Sequence, residues 1–258
     1  MSKAILYDST LCVGCRACEG ACAEKWGNPY DDNIAKQEKL SAAKLTAVRT
    51  FGERYSRRLC MHCQEPTCAS VCPVGALRKT ELGPVVYEED RCMGCRYCMA
   101  ACPFQVPAYE WHSRLPKVKK CDMCFERQQK GLPTACSEAC PTGATITGDR
   151  EALIAEARKR IAEKPSEYHN RIYGLKDVGG TSVLFLSAVP FEQIGLKTNL
   201  PQESLPQLTW NVLSKVPDVV VMGSALLWGI HWLCHRKAEV EEIEGAYRPF
   251  PFGKEKER

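Results

Sequence analysis

The chain has 258 residues, of which 45% are hydrophobic, and a formal net charge of +4. That length allows one or two domains with an ordinary core, and it excludes a small module that depends on disulfides for want of apolar residues. Lysine and arginine are scattered rather than massed, so the mild positive balance reads as a solvated mixed surface and carries no signature of nucleic-acid binding.

Residues 1–22 open with a short apolar strand, Ala4-Ile5-Leu6-Tyr7, ending at Asp8. There is no charged leader followed by an apolar run, so no secretory signal is expected. Cys12, Cys15, Cys18 and Cys22 follow. Gly14 stands between the first two, where a side chain is expected to crowd whatever the thiols hold. Residues 23–51 form an insertion without cysteine. Asn28-Pro29 and Asp31-Asp32-Asn33 mark turns in it, and the partial alternation of Leu45–Phe51 predicts a strand. The pair Arg57-Arg58 lies too deep to be an export signal and reads as two surface arginines.

Cys60, Cys63, Cys68 and Cys72 form a second group, followed by a turn and strand at Leu82–Tyr87. Asp90 leads into the third group, Cys92, Cys95, Cys98 and Cys102. A linker, 111–120, carries Lys117, Lys119 and Lys120 to the fourth group, Cys121, Cys124, Cys136 and Cys140. The run Cys140-Pro141-Thr142-Gly143-Ala144 echoes Cys72-Pro73-Val74-Gly75-Ala76, an internal repeat that predicts one shared architecture. Proline after the fourth cysteine ends the helix that carried it. The first group has Ala23 there, so its chain is expected to continue helically into the insertion.

Residues 149–164 read as an exposed helix of mixed charge. The extension 165–207 is less regular, with Gly179-Gly180 before Thr181–Leu186, which predicts a buried strand. Residues 219–234 carry no formal charge, which is short of the ~20 residues of a spanning helix. Pro217 suits its start; Trp228, Trp232 and Arg236 suit anchorage at a membrane face. A buried core helix is the alternative. The membrane reading is preferred because only a charged tail follows. Cys234 is spaced from nothing and reads as no ligand, whereas His231 could contact a haem or quinone of a partner.

Sixteen of the seventeen cysteines thus fall in four groups. Groups one and three read CxxCxxCxxxC, the spacing of the bacterial two-cluster ferredoxin run. Group two widens one gap, and group four places eleven residues between its second and third cysteines. Soft thiolate is the ligand that iron–sulfur cores select. Disulfides suit a smaller framework, and zinc needs neither the third cysteine nor the following proline. Four groups of four predict four 4Fe–4S clusters.

In a bacterial two-cluster ferredoxin the fourth cysteine of each run ligates the other run's cluster. Carried over, this gives Cys60, Cys63, Cys68 and Cys102 to one cluster and Cys72, Cys92, Cys95 and Cys98 to its partner, in an inner unit at 52–110. An outer unit, 1–51 with 111–150, assigns Cys12, Cys15, Cys18 and Cys140 to one cluster and Cys22, Cys121, Cys124 and Cys136 to the other. The expected fold is α+β: two nested ferredoxin units, an extension (151–212), a single transmembrane helix (213–236) and a charged tail (237–258).

Four such groups, with Lys120-Cys121-Asp122-Met123-Cys124 and Gly131–Pro141 as the fourth, resemble the iron–sulfur subunits of complex oxidoreductases. These include the electron-transfer subunits of the molybdopterin or tungstopterin enzymes formate dehydrogenase, dimethyl sulfoxide reductase and nitrate reductase. A single membrane helix after the clusters is similar to formate dehydrogenase beta subunits and their hydrogenase-2 counterpart. The run Tyr173–Thr181 with Val189-Pro190-Phe191 looks closer to the hydrogenase-2 type, whereas the lack of a leader looks closer to formate dehydrogenase. The electron donor therefore stays open. Nitrate reductase replaces one third-group ligand by tryptophan; Cys92, Cys95, Cys98 and Cys102 are all kept here.

The resemblance implies electron transfer from a catalytic subunit, of molybdopterin, tungstopterin or NiFe type, to a cytochrome b-like or quinone-reactive membrane subunit. No catalytic residue is expected, since no nucleophile–base motif, phosphate loop or nucleotide-binding glycine fingerprint is visible. A free-standing soluble polyferredoxin is the alternative. Arg236, Lys237, Arg248, Lys254, Lys256 and Arg258 follow the apolar stretch and only Lys215 closely precedes it. The expected location is therefore the cytoplasmic membrane, with a cytoplasmic C-terminus and a periplasmic cluster domain.

Overall fold

The computed structural model of the chain describes residues 2–243. Arg248, Lys254, Lys256 and Arg258 of the tail lie outside the described residues. The chain forms two units, Met1–Leu208 and Thr209–Arg258.

The first unit is built on the strand Lys3–Asp8, the centre of a three-stranded sheet. On one side it pairs antiparallel with Thr145–Asp149, from Lys3↔Asp149 to Tyr7↔Thr145. On the other it pairs parallel with Val183–Leu186, from Ile5↔Val183 to Asp8↔Leu186. Four consecutive apolar residues, Ala4 to Tyr7, are buried because both faces of the sheet are covered. Alternation along the strand sends Ala4 and Leu6, with Leu184 and Leu186, to one face. There they meet Leu153, Ile154 and Ala157. Ile5, Tyr7, Val183 and Phe185 point the other way, into a core shared with Cys60, Met61, Met123 and Cys136.

The helix Arg150–Glu163 is therefore not exposed all round. Its many charges disguise a narrow apolar stripe, and that stripe packs on the sheet. Its other tie is Asp8, fully buried at the end of the central strand. The Asp8 carboxylate accepts from Thr10 Oγ1 at 2.6 Å, Tyr168 OH at 2.8 Å and Arg160 Nη1 at 3.0 Å. A buried charge needs such partners, and these fix the chain just ahead of the first cysteine group.

The extension is part of this unit. Tyr173, Phe185 and Phe191 are buried, and Tyr7–Phe185 and Tyr173–Phe185 meet edge to face with centroids 5.2 and 6.0 Å apart. Three hairpins complete the unit: Ala47–Phe51 with Arg54–Arg58, Leu77–Lys79 with Val85–Tyr87, and Ala108–Tyr109 with Val118–Lys119. The insertion's strand begins at Ala47, within the stretch its alternation marked.

Besides Phe125–Gln129 in group four, each cysteine group carries a helix at its third cysteine: Ala17–Trp26, Thr67–Ser70, Tyr97–Ala101 and Ala135–Glu138. The first packs against the last, and the second against the third. Only the first runs on past its fourth cysteine, ending at the left-handed Gly27. Ala23 allows this, where Pro103 stops Tyr97–Ala101 at Cys102.

In the second unit the helix Val216–Ile243 has 28 residues. At 1.5 Å per residue it is about 42 Å long, enough for a hydrocarbon core of about 30 Å. The uncharged stretch alone is too short, but the helix extends beyond both its ends. Its apolar side chains, Val219 to Val221 and Leu226 to Trp228 among them, are exposed, and none of its most apolar window is buried.

Glu19, between Cys18 and Cys22, is 2% exposed and ties the insertion down. Its carboxylate lies 2.7 Å from Lys44 Nζ and accepts from the Val48 N–H. Glu19→Ala leaves the Val48 N–H without its acceptor and takes a buried carboxylate from Lys44, which keeps Ala35 O at 2.7 Å and the more exposed Glu38 at 3.3 Å. The expected cost is about 2 kcal/mol, or a Tm lower by roughly 4–8 °C for a unit of this size. Thermal unfolding of the loaded protein followed by circular dichroism checks this; an unchanged midpoint would make the pair dispensable.

Candidate metal centre

The four cysteine loops share a backbone feature that spacing alone does not reveal. The residue just before the second cysteine is left-handed in every group: Gly14 (φ 68°), His62 (φ 47°), Gly94 (φ 75°) and Met123 (φ 56°). For a non-glycine residue this costs roughly 1–2 kcal/mol, and both His62 and Met123 are held there by burial. At Gly14 the constraint differs from the one expected. A Cβ would sit 2.3 Å from the Tyr55 ring, so it is Tyr55, as well as φ, that requires glycine.

A second shared turn follows the fourth cysteine of groups two, three and four. The N–H three residues on donates to the cysteine carbonyl: Gly75 to Cys72 at 3.2 Å, Gln105 to Cys102 at 3.0 Å and Gly143 to Cys140 at 3.3 Å. Proline at the second position presets such a turn. The turn brings backbone N–H groups towards sulfur, as Ala76 N–H donates to Cys72 Sγ at 3.2 Å. Met123 and Ala135 N–H groups approach Cys121 Sγ at 3.3 Å and Cys124 Sγ at 3.4 Å. At Cys140 burial works against the thiolate, but the N–H groups of Thr145, Thr142 and Ala144, with the Thr142 hydroxyl, outweigh it and lower the pKa.

The neighbours of several thiols cross the groups. Burial pushes Cys63 up, and Cys60, Cys102 and Cys68 add to it. Cys98 is pushed up to about 11 by burial and then by Cys92, Cys95 and Cys72. Cys22 rises to about 12 through burial and through Cys136 and Cys124, with Arg57 opposing. Cys121 is raised by burial, then by Cys22, Asp122, Cys60 and Cys136. Cys18 is raised to about 11, again by burial first, with Cys136 and Cys12 among its neighbours. Cys68, raised to about 12 by burial, feels Cys60, Cys102 and also Cys98.

Arg57 corrects the surface reading of the arginine pair: it is 1% exposed, while Arg58 is half-buried. Local sequence sends an arginine to water, but the fold surrounds this one with thiols. Two more residues escape sequence reasoning. His62, also 1% exposed, accepts at Nδ1 from the Val85 N–H at 2.9 Å. Its Nε2 is buried without a partner. Lys79 Nζ donates to the carbonyls of Cys63 at 2.8 Å and His62 at 3.2 Å. The extension clamps the same loop: Gln64 N–H donates to Gly180 O at 2.9 Å, Ser182 N–H to His62 O at 3.0 Å, and Cys63 bridges Thr181. The Gly-Gly pair before an apolar run was the available signal.

These residues fit iron–sulfur clusters. The donors are soft thiols in an apolar core, backbone N–H groups face sulfur, and the His62 Nε2 has no acceptor in the polypeptide. Among the described residues no three His, Cys, Asp or Glu side chains stand close enough to hold a single metal ion, whereas a cubane spreads its four thiolates wider. His231 lies on the helix of the second unit, its ring 6.0 Å from that of His235, and Cys234 is exposed there.

Thiols in this arrangement define an iron–sulfur electron-transfer protein, and residues 52–150 match the family model of the 4Fe-4S dicluster domain. The chain is 37% identical over 287 positions to the hydrogenase-2 operon protein HybA of Escherichia coli O157:H7, covering 95% of this chain and 87% of that one. It is 33% identical over 267 positions to the formate dehydrogenase iron–sulfur subunit of Haemophilus influenzae, covering 95% and 84%. Over 198 positions it is 36% identical to the formate dehydrogenase-O iron–sulfur subunit of Escherichia coli K12, covering 70% and 65%. The chain belongs to this family of hydrogenase and formate dehydrogenase iron–sulfur subunits.

The clamp on group two is open to a direct check. Gly180 has φ 89° and ψ 158°, a region that is essentially glycine-only, and a Cβ there would lie 3.0 Å from Leu175 O. Gly180→Ala is expected to cost about 2 kcal/mol and to lower the iron bound per chain. Unchanged iron content and Tm would show that group two seats without the extension.

Proposed function

We propose that the chain is the non-catalytic electron-transfer subunit of a membrane-bound oxidoreductase complex and holds four 4Fe–4S clusters in a line. The observation that carries this is the crossing of neighbours between cysteine groups. Cys102 sits with Cys60, Cys63 and Cys68; Cys72 with Cys92, Cys95 and Cys98; and Cys22 with Cys121, Cys124 and Cys136. By elimination we assign Cys12, Cys15, Cys18 and Cys140 to the remaining set. The packing of the first helix on the fourth group's helix, and of the second on the third, supports two nested ferredoxin units, 52–110 inside 1–51 with 111–150.

When bound, such clusters accept and release single electrons without making a bond to substrate. The chain's residues position the sulfurs, exclude water and set the charge around them. We read their order from the thiols that influence one another across the sets: Cys98 and Cys68, Cys60 and Cys121, and Cys136 and Cys18. The third-group and first-group sets are then the two ends. We assign the ends to a catalytic partner of molybdopterin, tungstopterin or NiFe type and to a cytochrome b-like, quinone-reactive membrane subunit. A soluble polyferredoxin has no use for the exposed apolar helix Val216–Ile243, which we read as a single transmembrane span.

Iron and sulfide analysis of anaerobically purified protein is expected to give about sixteen of each per chain, four of each per cluster. Half that content, or zinc, would sink the reading. Cys22→Ser is expected to remove the electron paramagnetic resonance signal of the cluster held by Cys121, Cys124 and Cys136. Loss confined to the set of Cys12, Cys15 and Cys18 would refute the exchange of fourth ligands.

We place the cluster unit outside the cytoplasm, because Arg236 and Lys237 close the span and cations favour the cytoplasmic side. Protease added to cells with a permeabilised outer membrane is expected to degrade the cluster unit and spare a tag fused after Arg258. The reverse pattern would place the unit in the cytoplasm.

A further inference from the structure

Arg57 stands on the strand Arg54–Arg58 and is almost wholly buried, at 1% exposure. Its Nε donates to Thr46 Oγ1 at 2.8 Å and its Nη1 to Thr145 Oγ1 at 3.3 Å. Both acceptors are neutral hydroxyls. A guanidinium cannot shed its proton inside a protein, and a buried charge without an anion is costly. The groups that weigh most on it are the thiols of Cys136, Cys18 and Cys121, which carry negative charge as cluster ligands. Cys22 is a neighbour of Arg57 as well. Cys18 belongs to one proposed ligand set of the outer unit; Cys22, Cys121 and Cys136 belong to the other.

We infer that Arg57 is the fixed counter-charge of the two outer clusters: a positioning residue between their ligand sets that holds both at a higher potential than they would otherwise have. The inference rests on the ligand sets proposed above. Reduction adds one negative charge to a cluster, and a fixed cation in a poorly screened interior favours the more negative form. Thr46 and Thr145 aim the guanidinium without competing for its charge. The inner sets have another cation, Lys79, on the carbonyls of His62 and Cys63, while Lys120, on the carbonyls of Val85 and Cys121, stands at the junction of the inner and outer units. They are expected to be indifferent to Arg57.

The test is a potentiometric titration of the full, loaded chain, followed by electron paramagnetic resonance, for wild type, Arg57→Met and Arg57→Lys. Arg57→Met should shift two of the four potentials negative together, and Arg57→Lys, which restores the charge, should return most of the shift. Should Arg57→Met fail to hold its outer clusters, iron analysis takes over: about half the iron in Arg57→Met with full content in Arg57→Lys supports a role for charge. Equal loss in both variants would mean that the side chain's shape matters and its charge does not, and would overturn the proposal. Four unmoved potentials in an Arg57→Met chain that keeps all its clusters would overturn it as well, leaving the ligand sets intact. A wild-type chain with only two clusters would overturn those sets, and this proposal with them.

Discussion

Cysteine sulfur sits where this protein would otherwise keep only hydrocarbon. Cys60 and Cys136 lie in the main core beside Tyr7, Tyr173, Phe185 and Phe191, with Cys12, Cys18, Cys63, Cys102 and Cys121 packed against it, so all four groups reach one interior. Burial alone pushes such thiols up, as at Cys22 and Cys68. A metal ligand must be deprotonated, so binding iron and forming this core are linked events. The chain's folding free energy and its cofactor affinity are therefore coupled.

The sheet follows from that constraint. A strand from the start of the chain, one from just after the fourth group and one from the extension lie side by side. They close the unit around the middle groups, and the face that looks inward supplies Ile5, Tyr7, Val183 and Phe185 to the cysteine core. The parallel pairing with Val183–Leu186 makes the extension a wall of the site. The Gly180–Ser182 segment continues from that wall into the loop of Cys60 and Cys63, so the same stretch that insulates the core also sets ligand position.

Sequence spacing made the cysteine groups legible because cluster loops are local: three of four thiols fall within seven residues in groups one and three. Ala23 against Pro73, Pro103 and Pro141 was equally local, and the helix does run on to Trp26. What spacing hid was long-range. Arg57 bonds Thr145 across 88 residues, and Asp8 bonds Tyr168 across 160. No local rule distinguishes such an arginine from a surface one. The stripe on Arg150–Glu163 was missed for a related reason, since three modest apolar residues carry little weight among charges until a sheet is there to receive them.

The loops also differ in a way that their common motif conceals. The residue after the first cysteine is exposed in groups one and three, 58% at Val13 and 65% at Met93, but buried in group two, 4% at Met61. Near Met93, Tyr97, Trp111 and Leu115 are exposed too, and Arg96 lies over the rings of Tyr109 and Trp111 at 5.6 and 5.3 Å. An isolated exposed side chain needs no explanation, but apolar residues gathered around a ligand loop mark a surface meant to be covered. The proposed order of ligand sets puts groups one and three at the ends. Their loops are the ones left apolar and open, while group two, in the middle, is sealed by the extension. The exposure is independent of the proposed order, and both set the first and third groups apart from the second.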